Sequence, residues 1–132
     1  AQISRQYTAS ANNNVIGSTA SISDVFQKIE KGLLKNSIGE FENAFGIIVS
    51  IDLGAGEGGY YSMNQAASVI AKYFSERRYV YFKFTSIHEK DTTPYATGRF
   101  VYIYKGKQES AQIYVLLKQQ ESKWVINQFN IY

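Results

Sequence analysis

Four strand-like segments fill the stretch from Tyr79 to Tyr132 and restrict how it can fold. Aromatic and β-branched residues dominate these segments, which suits a pleated and half-buried surface. The connections are short and polar, and neighbours in sequence must therefore pair as antiparallel neighbours in space. The strands predicted for this meander are Tyr79–Glu89, Tyr95–Lys105, Glu109–Gln119 and Lys123–Tyr132.

The last of these strands contains a change of phase in its apolar pattern. Side chains two residues apart share a face of a strand, which pairs Trp124 with Ile126 and Phe129 with Ile131. The two pairs differ in parity, so a regular strand cannot turn all four side chains towards one core. A β-bulge at residues 127–128 is predicted because it would restore a common apolar face.

Helical periodicity marks the chain ahead of the sheet. Apolar residues recur at helical spacing from Ile22 to Leu33, and Gly32 within this segment predicts a closely packed neighbour. Capping-box patterns at 37–40 and 62–65 mark two further helix starts. Helices ahead of an antiparallel sheet give an α+β class. The predicted elements are a helix Ser23–Asn36, a short helix Ser37–Gly46, a strand Ile47–Leu53 and a long helix Ser62–Arg77.

Residues 1–21 differ in composition from the rest of the chain. They are rich in Ser, Thr and Asn, with Arg5 as their only charged residue. Such a segment buries too little apolar surface to fold by itself, which predicts a flexible N-terminal arm. Residues 22–132 are then expected to form a single domain with its own hydrophobic core.

Composition and charge exclude several classes of function. The chain has no cysteine, which rules out disulfides, thiolate metal sites and a cysteine nucleophile. Its formal charge is only +3 and the basic residues are scattered, which argues against nucleic-acid binding. No apolar run approaches the roughly 20 residues of a transmembrane segment. The start Ala1-Gln2 is typical of the end that signal peptidase leaves, so export to the periplasm or the exterior is expected.

The order of these elements, ending in Trp124-x-Ile126-x-x-Phe129-x-Ile131, resembles the nuclear transport factor 2-like superfamily. The resemblance implies a cone-shaped, cystatin-like fold in which a curved antiparallel sheet wraps N-terminal helices. More narrowly, the chain is similar to an uncharacterised family of small secreted bacterial domains of unknown function. This superfamily contains enzymes and non-catalytic domains, so the resemblance does not specify a function. The stretches that carry the narrower likeness are Asn36–Phe41, Tyr61–Ala66 with Ile70 and Phe74, and Tyr114–Lys118.

A glycine-rich segment follows the first predicted strand. Gly54, Gly56 and Gly59 match the G-x-G-x-x-G pattern of dinucleotide-binding loops. The next helix begins only after these glycines, at Ser62, and a meander follows in place of a second crossover unit. A flexible loop is therefore the preferred interpretation, and no cofactor is expected.

His88 is the only histidine of the chain, and it lies among charged residues where a strand ends. A Ser–His–acid triad would have to use it, and a metal site would need several further ligands around it. We interpret His88 as a solvated side chain beside a hairpin turn. Neither a catalytic triad nor a metal site is predicted.

The resemblance also implies where an active site would lie. Enzymes of this superfamily place an Asp or His base and Tyr or Asp donors inside the cone, where desolvation shifts pKa values. Asp52 is the best candidate base, with Tyr73, Tyr102 or Tyr114 as a donor. The alternative is an exposed Asp52 at a strand end. Because no spacing identifies a second acid, an enzyme is the less favoured hypothesis.

One predicted strand has no polar face. Residues 100–104 place aromatic side chains on one side and aliphatic side chains on the other. A sheet covered on one side only would alternate more clearly. The pattern predicts that a second copy or another partner covers the outer face, and scattered exposed tyrosines are the alternative.

The favoured function is a non-catalytic exported domain that binds a small molecule or a protein partner in or around the cone. Its groove is expected between the helices and the sheet, although the same aromatic side chains would suit a closed core. The alternatives are a homodimer through the tyrosine-rich sheet face and an isomerase- or dehydratase-like enzyme that uses Asp52. The predicted ligand-binding residues are Phe45, Tyr73, Phe82, Phe84 and Trp124.

Overall fold

Both helices begin with a complete capping box in the computed structural model, which describes residues 21–54 and 58–132. In α1, Ile22–Leu34, the Ser21 hydroxyl accepts from the Asp24 amide at 3.0 Å, and the Asp24 carboxylate accepts from the Ser21 amide. In α2, Met63–Ser75, the Ser62 hydroxyl accepts from the Gln65 amide, and the Gln65 side-chain oxygen accepts from the Ser62 amide. Each cap satisfies two amides that the first turn leaves without partners. The two longer predicted helices are confirmed to within two residues at each end.

The short helix predicted from Ser37 to Gly46 is wrong. Two 3-10 turns, Ile38–Glu40 and Glu42–Ala44, occupy this stretch, and the Ser37 side chain makes no capping bond. A helix of so few residues has little stability of its own, and tertiary packing decides its conformation. Here Phe41 is buried in the core, with its ring edge-on to Phe45 and stacked on Phe129.

Six strands form one sheet in the order β2-β1-β6-β5-β4-β3. The predicted meander is confirmed, with each boundary within two residues of its predicted position. All neighbouring pairs are antiparallel except β1 and β6, which are parallel. The strands are β1 Phe45–Asp52, β2 Gly58–Ser62, β3 Arg78–His88, β4 Tyr95–Tyr104, β5 Lys107–Gln120 and β6 Lys123–Ile131.

The predicted bulge in the last strand is confirmed. Leu116 of β5 pairs with Gln128, whereas the next residue, Leu117, pairs with Ile126. Asn127 is therefore the extra residue on β6. The bulge allows Ile126 and Phe129 to be buried together, and it adds local twist to the sheet.

Strand β2 was not predicted, because its glycines favoured a loop. Gly58–Ser62 instead forms an edge strand that pairs antiparallel with β1, with Gly59 opposite Ile51 and Tyr61 opposite Val49. The helix that follows therefore leaves an antiparallel hairpin, which differs from the parallel strand-to-helix unit of a dinucleotide site. Gly56 of the glycine pattern lies outside the described residues, as do residues 1–20 of the predicted arm.

The core lies between the two helices and the inner face of the sheet. Alternate side chains of β3, β4 and β5 point inward and are buried, and those between them point outward. Both helices contribute an apolar stripe to the same cluster, including Phe26 and Ile29 of α1 and Ile70 and Phe74 of α2. The predicted α+β cone, with its sheet wrapping the helices, is confirmed.

Candidate functional site

A partly open cavity of about 140 Å³ lies between the end of α1, the turn that follows it and the last turns of α2. Most of its wall is apolar side chain, and polar groups stand at Asn36, Ser37 and Ser75. We call it the α1–α2 cavity. Its lining residues are Gly32, Leu33, Asn36, Ser37, Ile38, Phe41, Ala71, Phe74 and Ser75.

The way in which α1 ends fixes one wall of the α1–α2 cavity. Asn36 adopts a left-handed conformation, with φ of 54°. The Ser37 amide donates to the Gly32 carbonyl at 2.8 Å, and the Asn36 amide donates to the Leu33 carbonyl at 3.3 Å. These two bonds form a Schellman motif, which stops the helix and redirects the chain. Ile38 then covers the cavity from the turn.

Gly32 determines how close the next segment can approach. A Cβ at this position would lie 2.6 Å from the Phe41 ring and 2.8 Å from the Ser37 carbonyl oxygen. Because glycine has no Cβ, the Phe41 ring can pack directly on the backbone of α1. Gly32 thereby allows Phe41 to form the floor of the cavity, and the close packing predicted at Gly32 is confirmed.

The chemistry of the α1–α2 cavity suits binding and not acid–base catalysis. In the part of the chain that the structure describes, its lining contains no carboxylate, histidine, lysine, arginine or tyrosine. The Ser75 hydroxyl already donates to the Lys72 carbonyl at 2.8 Å. A cavity of this kind, about 150 Å³ and lined by aliphatic and aromatic side chains, holds a benzene-sized molecule. The geometry therefore fits one apolar ring or branched alkyl group.

The five residues predicted to bind a ligand lie outside this cavity. Phe45, Phe82, Phe84 and Tyr73 are buried in the core, and Trp124 is half-buried beside it. Phe84 packs edge-on against Phe26 and Phe82, with ring centroids 5.7 and 5.0 Å apart. In the structure these aromatic side chains form part of the core. Their sequence pattern is compatible with a core as well as with a binding groove. Their ligand-binding role stays a prediction.

The cavity residues themselves carried only a weak signal in the sequence. Gly32 inside a helix pattern and Asn36 just after it indicate a close contact and a helix end. Neither indicates an open space, because a cavity depends on which side chains from α2 face the turn. Ala71 and Ser75 are small residues at that position, and nothing local distinguishes them from packed residues.

Asp52 is not inside the cone. It is exposed at the end of β1, and its Oδ1 accepts a hydrogen bond from the Gly54 amide at 2.9 Å. This bond closes a turn between β1 and the segment that leads to β2. The placement matches the alternative of an exposed strand end, and Asp52 does not line the α1–α2 cavity.

Tyr73 belongs to a cluster that the sequence did not predict. The guanidinium of Arg77 lies 3.7 Å from the centroid of the Tyr73 ring, 4.6 Å from that of Tyr104 and 5.5 Å from that of Tyr102. Burial raises the pKa of the Tyr73 phenol; the nearby Arg77 opposes this rise and Tyr102 adds to it. The Tyr102 hydroxyl also donates to Glu109 at 3.4 Å. We call these residues the Arg77 cluster.

Tyr102 and Tyr104 of β4 lie on the inner face of the sheet. Tyr102 is buried and stacks on Phe100, and Tyr104 is half-buried within the Arg77 cluster. The outer face of the same strand carries Val101 and Ile103, both half-buried. A tyrosine-rich outer face built on Tyr102 and Tyr104 is therefore wrong, because the strand turns its aromatic side towards α2.

Other tyrosines do lie on the outer face, beside His88. The exposed His88 ring stacks on Tyr95 with centroids 4.4 Å apart and bonds to the Ser86 hydroxyl at 2.7 Å. Tyr95 in turn contacts Tyr114. Burial and the neighbouring Tyr132 and Tyr95 raise the pKa of Tyr114. A tyrosine phenol is protonated at neutral pH even at its ordinary pKa of about 10, and the raised pKa extends this protonated range further into alkaline solution.

Metal binding and membrane spanning can be judged only for residues 21–54 and 58–132. Within these ranges the side chains of His, Asp and Glu do not gather in threes at any point where they could hold an ion. The helices there are too short and too polar to cross a bilayer.

A family model described as a domain of unknown function, DUF4783, matches residues 26–132. The structure is similar to that of a DUF4783 family protein from Bacteroides uniformis, with 14% identity and a TM-score of 0.71. That match covers 80% of this chain and 93% of the other. No curated protein matches the chain.

Two further solved structures have the same architecture. A DUF4783 family protein from Bacteroides fragilis is 16% identical, with a TM-score of 0.68 over 79% of this chain and 93% of that one. An NTF-2 like protein of unknown function from Shewanella oneidensis is 10% identical, with a TM-score of 0.59 over 83% of this chain and 94% of that one. At these identities the likeness concerns the fold alone.

Proposed function

Because the chain belongs to the DUF4783 family of domains of unknown function and has the nuclear transport factor 2-like fold, we propose a function from its own geometry. The protein is a non-catalytic binding domain. Its α1–α2 cavity receives one apolar group, which is either a small molecule or the side chain of a protein partner.

The size and lining of the α1–α2 cavity carry this proposal. About 140 Å³ of partly open space has walls from Leu33, Ile38 and Phe74. A soluble domain normally fills such space with its own side chains, because unfilled apolar volume weakens packing. Filling it with a ring recovers those contacts, and the polar groups at Asn36 and Ser37 can orient a hydroxyl or amide on the ligand.

Substitution of Ala71 by Phe tests the cavity directly. The new ring would occupy the space itself, so benzene and phenol should no longer bind. In the wild-type protein, saturating phenol is expected to shift the amide resonances of Gly32, Ile38 and Ser75 in nuclear magnetic resonance spectra. In Ala71→Phe those shifts should disappear while the spectrum stays well dispersed.

Ser68→Phe is the matched control, since Ser68 is exposed on α2 one turn earlier and outside the cavity. It should bind phenol as the wild type does. The proposal fails if phenol leaves the wild-type resonances unchanged, or if Ala71→Phe responds as strongly as Ser68→Phe.

A homodimer through the sheet is a second candidate function. The β1–β2 edge carries exposed apolar side chains on both of its strands, where Ile48 is 54% exposed and Tyr60 is 80% exposed. Single exposed apolar residues are common, but adjacent ones on paired strands favour an interface. Sedimentation velocity at 100 μM or so should then show a dimer that Tyr60→Lys converts to monomer. A wild-type monomer at that concentration excludes this function.

An enzyme that uses Asp52 has less support than either binding function. Its carboxylate lies in solvent and is already bonded to Gly54. Catalytic carboxylates act within hydrogen-bond reach of a substrate held in a pocket. Asp52 is not among the residues that line the α1–α2 cavity, and its geometry fits a turn-forming role.

A further inference from the structure

Two cations stand directly opposite each other on the outer face of the sheet. Lys83 of β3 pairs with Arg99 of β4 in the antiparallel register. Their sequence neighbours Phe82, Phe84 and Phe100 are buried, so both cations point away from the core and are exposed. The α1–α2 cavity lies on the opposite side of the sheet, and the two features are independent.

This arrangement carries an electrostatic cost. Directly opposed side chains on antiparallel strands have Cβ atoms about 5 Å apart, and like charges in such a pair destabilise the sheet. Among residues 21–54 and 58–132, neither cation makes an ion pair. The outward positions that surround them are all neutral, namely Tyr81, Thr97, Val101, Ser110 and Gln112. No carboxylate at those positions offsets the repulsion.

A hollow of about 260 Å³ opens beside Arg99. Ser110, which carries a hydroxyl, and Gln112, which carries a side-chain amide, line it together with Tyr132. The Thr85 hydroxyl is already engaged as a donor to the Thr97 carbonyl at 3.2 Å. Hydrogen-bond donors beside a guanidinium are the groups that hold an oxyanion in proteins. The full lining is Thr85, Gly98, Arg99, Ser110, Ala111, Gln112 and Tyr132.

We propose that Lys83 and Arg99, together with this hollow, form a binding site for a phosphate group. Two facing cations are neutralised together by one dianion, whereas a carboxylate would leave one positive charge uncompensated. A phosphate monoester carries close to two negative charges at neutral pH and offers three acceptor oxygens. The Arg99 fork takes two of these oxygens, Lys83 adds a point charge, and Ser110 or Gln112 donates to the remaining oxygen.

The test titrates inorganic phosphate at pH 7.5 against sodium chloride of equal ionic strength. In the wild-type protein, phosphate should raise the melting temperature above that in chloride, and amide resonances of Arg99, Ser110 and Gln112 should shift to saturation. Arg99→Gln and Lys83→Gln should each weaken phosphate binding by about tenfold or more, since each loses a charge-assisted bond. Without phosphate and at low ionic strength, Arg99→Gln should melt at a higher temperature than the wild type.

Lys118→Gln is the control, because Lys118 is an exposed lysine on β5 away from the hollow. It should bind phosphate like the wild type. The proposal is overturned if chloride reproduces the phosphate effect, if Arg99→Gln binds phosphate undiminished, or if acetate binds as tightly as phosphate.

Phenyl phosphate separates the two sources of the phosphate group. The Tyr132 ring beside the hollow can contact an organic substituent, so an organic phosphate ester should bind about tenfold more tightly than inorganic phosphate if esters are the ligands. Equal affinities would support free phosphate as the ligand of the same site.

Discussion

Arg77 stabilises the end of the cone through the faces of aromatic rings. Its side chain is only 17% exposed, its Nη1 donates to the Tyr73 carbonyl at 3.1 Å, and it lies over the Tyr73 and Tyr104 rings. A desolvated cation over such rings contributes up to about 2 kcal/mol. In the part of the chain that the structure describes, its buried Nε has no hydrogen-bond acceptor, whereas its Nη1 also lies 3.7 Å from the Glu76 Oε1.

The buried phenol of Tyr73 predicts a loss of stability in alkaline solution. Burial raises its pKa in the folded protein, whereas in the unfolded chain its pKa is about 10. Below pH 10 the phenol is neutral in both states and its contribution is complete. Above pH 10 the unfolded chain loses this proton first. The free energy of unfolding should then fall by up to about 1.4 kcal/mol per pH unit from this residue.

Urea unfolding between pH 8 and pH 11 measures this effect. Tyr73→Phe should flatten the decline above pH 10, because it removes the titrating group. Tyr60→Phe should leave the decline unchanged, since Tyr60 is exposed. Parallel wild-type and Tyr73→Phe profiles would contradict the assignment, and the remaining slope should include the raised pKa of Tyr114.

At the scale of elements, Gly32 couples α1 to the turn that follows it. Gly32→Ala would ordinarily stabilise a helix by about 1 kcal/mol. Here the added Cβ would lie 2.6 Å from the Phe41 ring and 2.8 Å from the Ser37 carbonyl. Overpacking of this kind costs about 1–3 kcal/mol, and backbone at the contact cannot move aside easily. We expect a net loss of up to about 2 kcal/mol in urea unfolding.

Gly39→Ala is the control for this substitution. Its added Cβ would meet only the Ser37 hydroxyl, at 3.6 Å, and a Glu42 oxygen, at 4.0 Å, which are ordinary contacts. Its effect should stay within about 0.5 kcal/mol. A Gly32→Ala protein as stable as the wild type would show that Phe41 can repack.

Elements with a strong local signal were predictable, and those that depend on distant partners were not. Ile126 and Phe129 are both apolar and lie in one strand, but a regular strand would place them on opposite faces. A bulge between them is therefore predictable from the local sequence. Strand β2 has weak local β-propensity at its glycines and exists because the β1 edge offers a partner. The Ser37 capping pattern failed because burial of Phe41 determines the turn there.

For the whole molecule, the sequence predicts the architecture and not the site. The α+β cone follows from element order and from a meander whose short turns fix its pairing. Aromatic residues are typical of a ligand-binding groove and of a closed core, so the sequence does not decide between the two for Phe45, Phe82 and Phe84. The structure packs them as core, and the space left open between the helices lies at the α1–α2 cavity. Which volume stays empty depends on side chains from three separate segments, and no single stretch encodes it.

The parallel pairing of β1 with β6 also sets an order of events during synthesis. Phe45 meets Ile126, and more than half of the chain separates the two residues. Long-range pairings of this kind slow folding because the intervening chain must be ordered first. On the ribosome, β1 therefore waits with one edge unpaired while β3, β4 and β5 emerge. The nascent domain is most prone to aggregate in that interval. The interval ends when β6 inserts between β1 and β5.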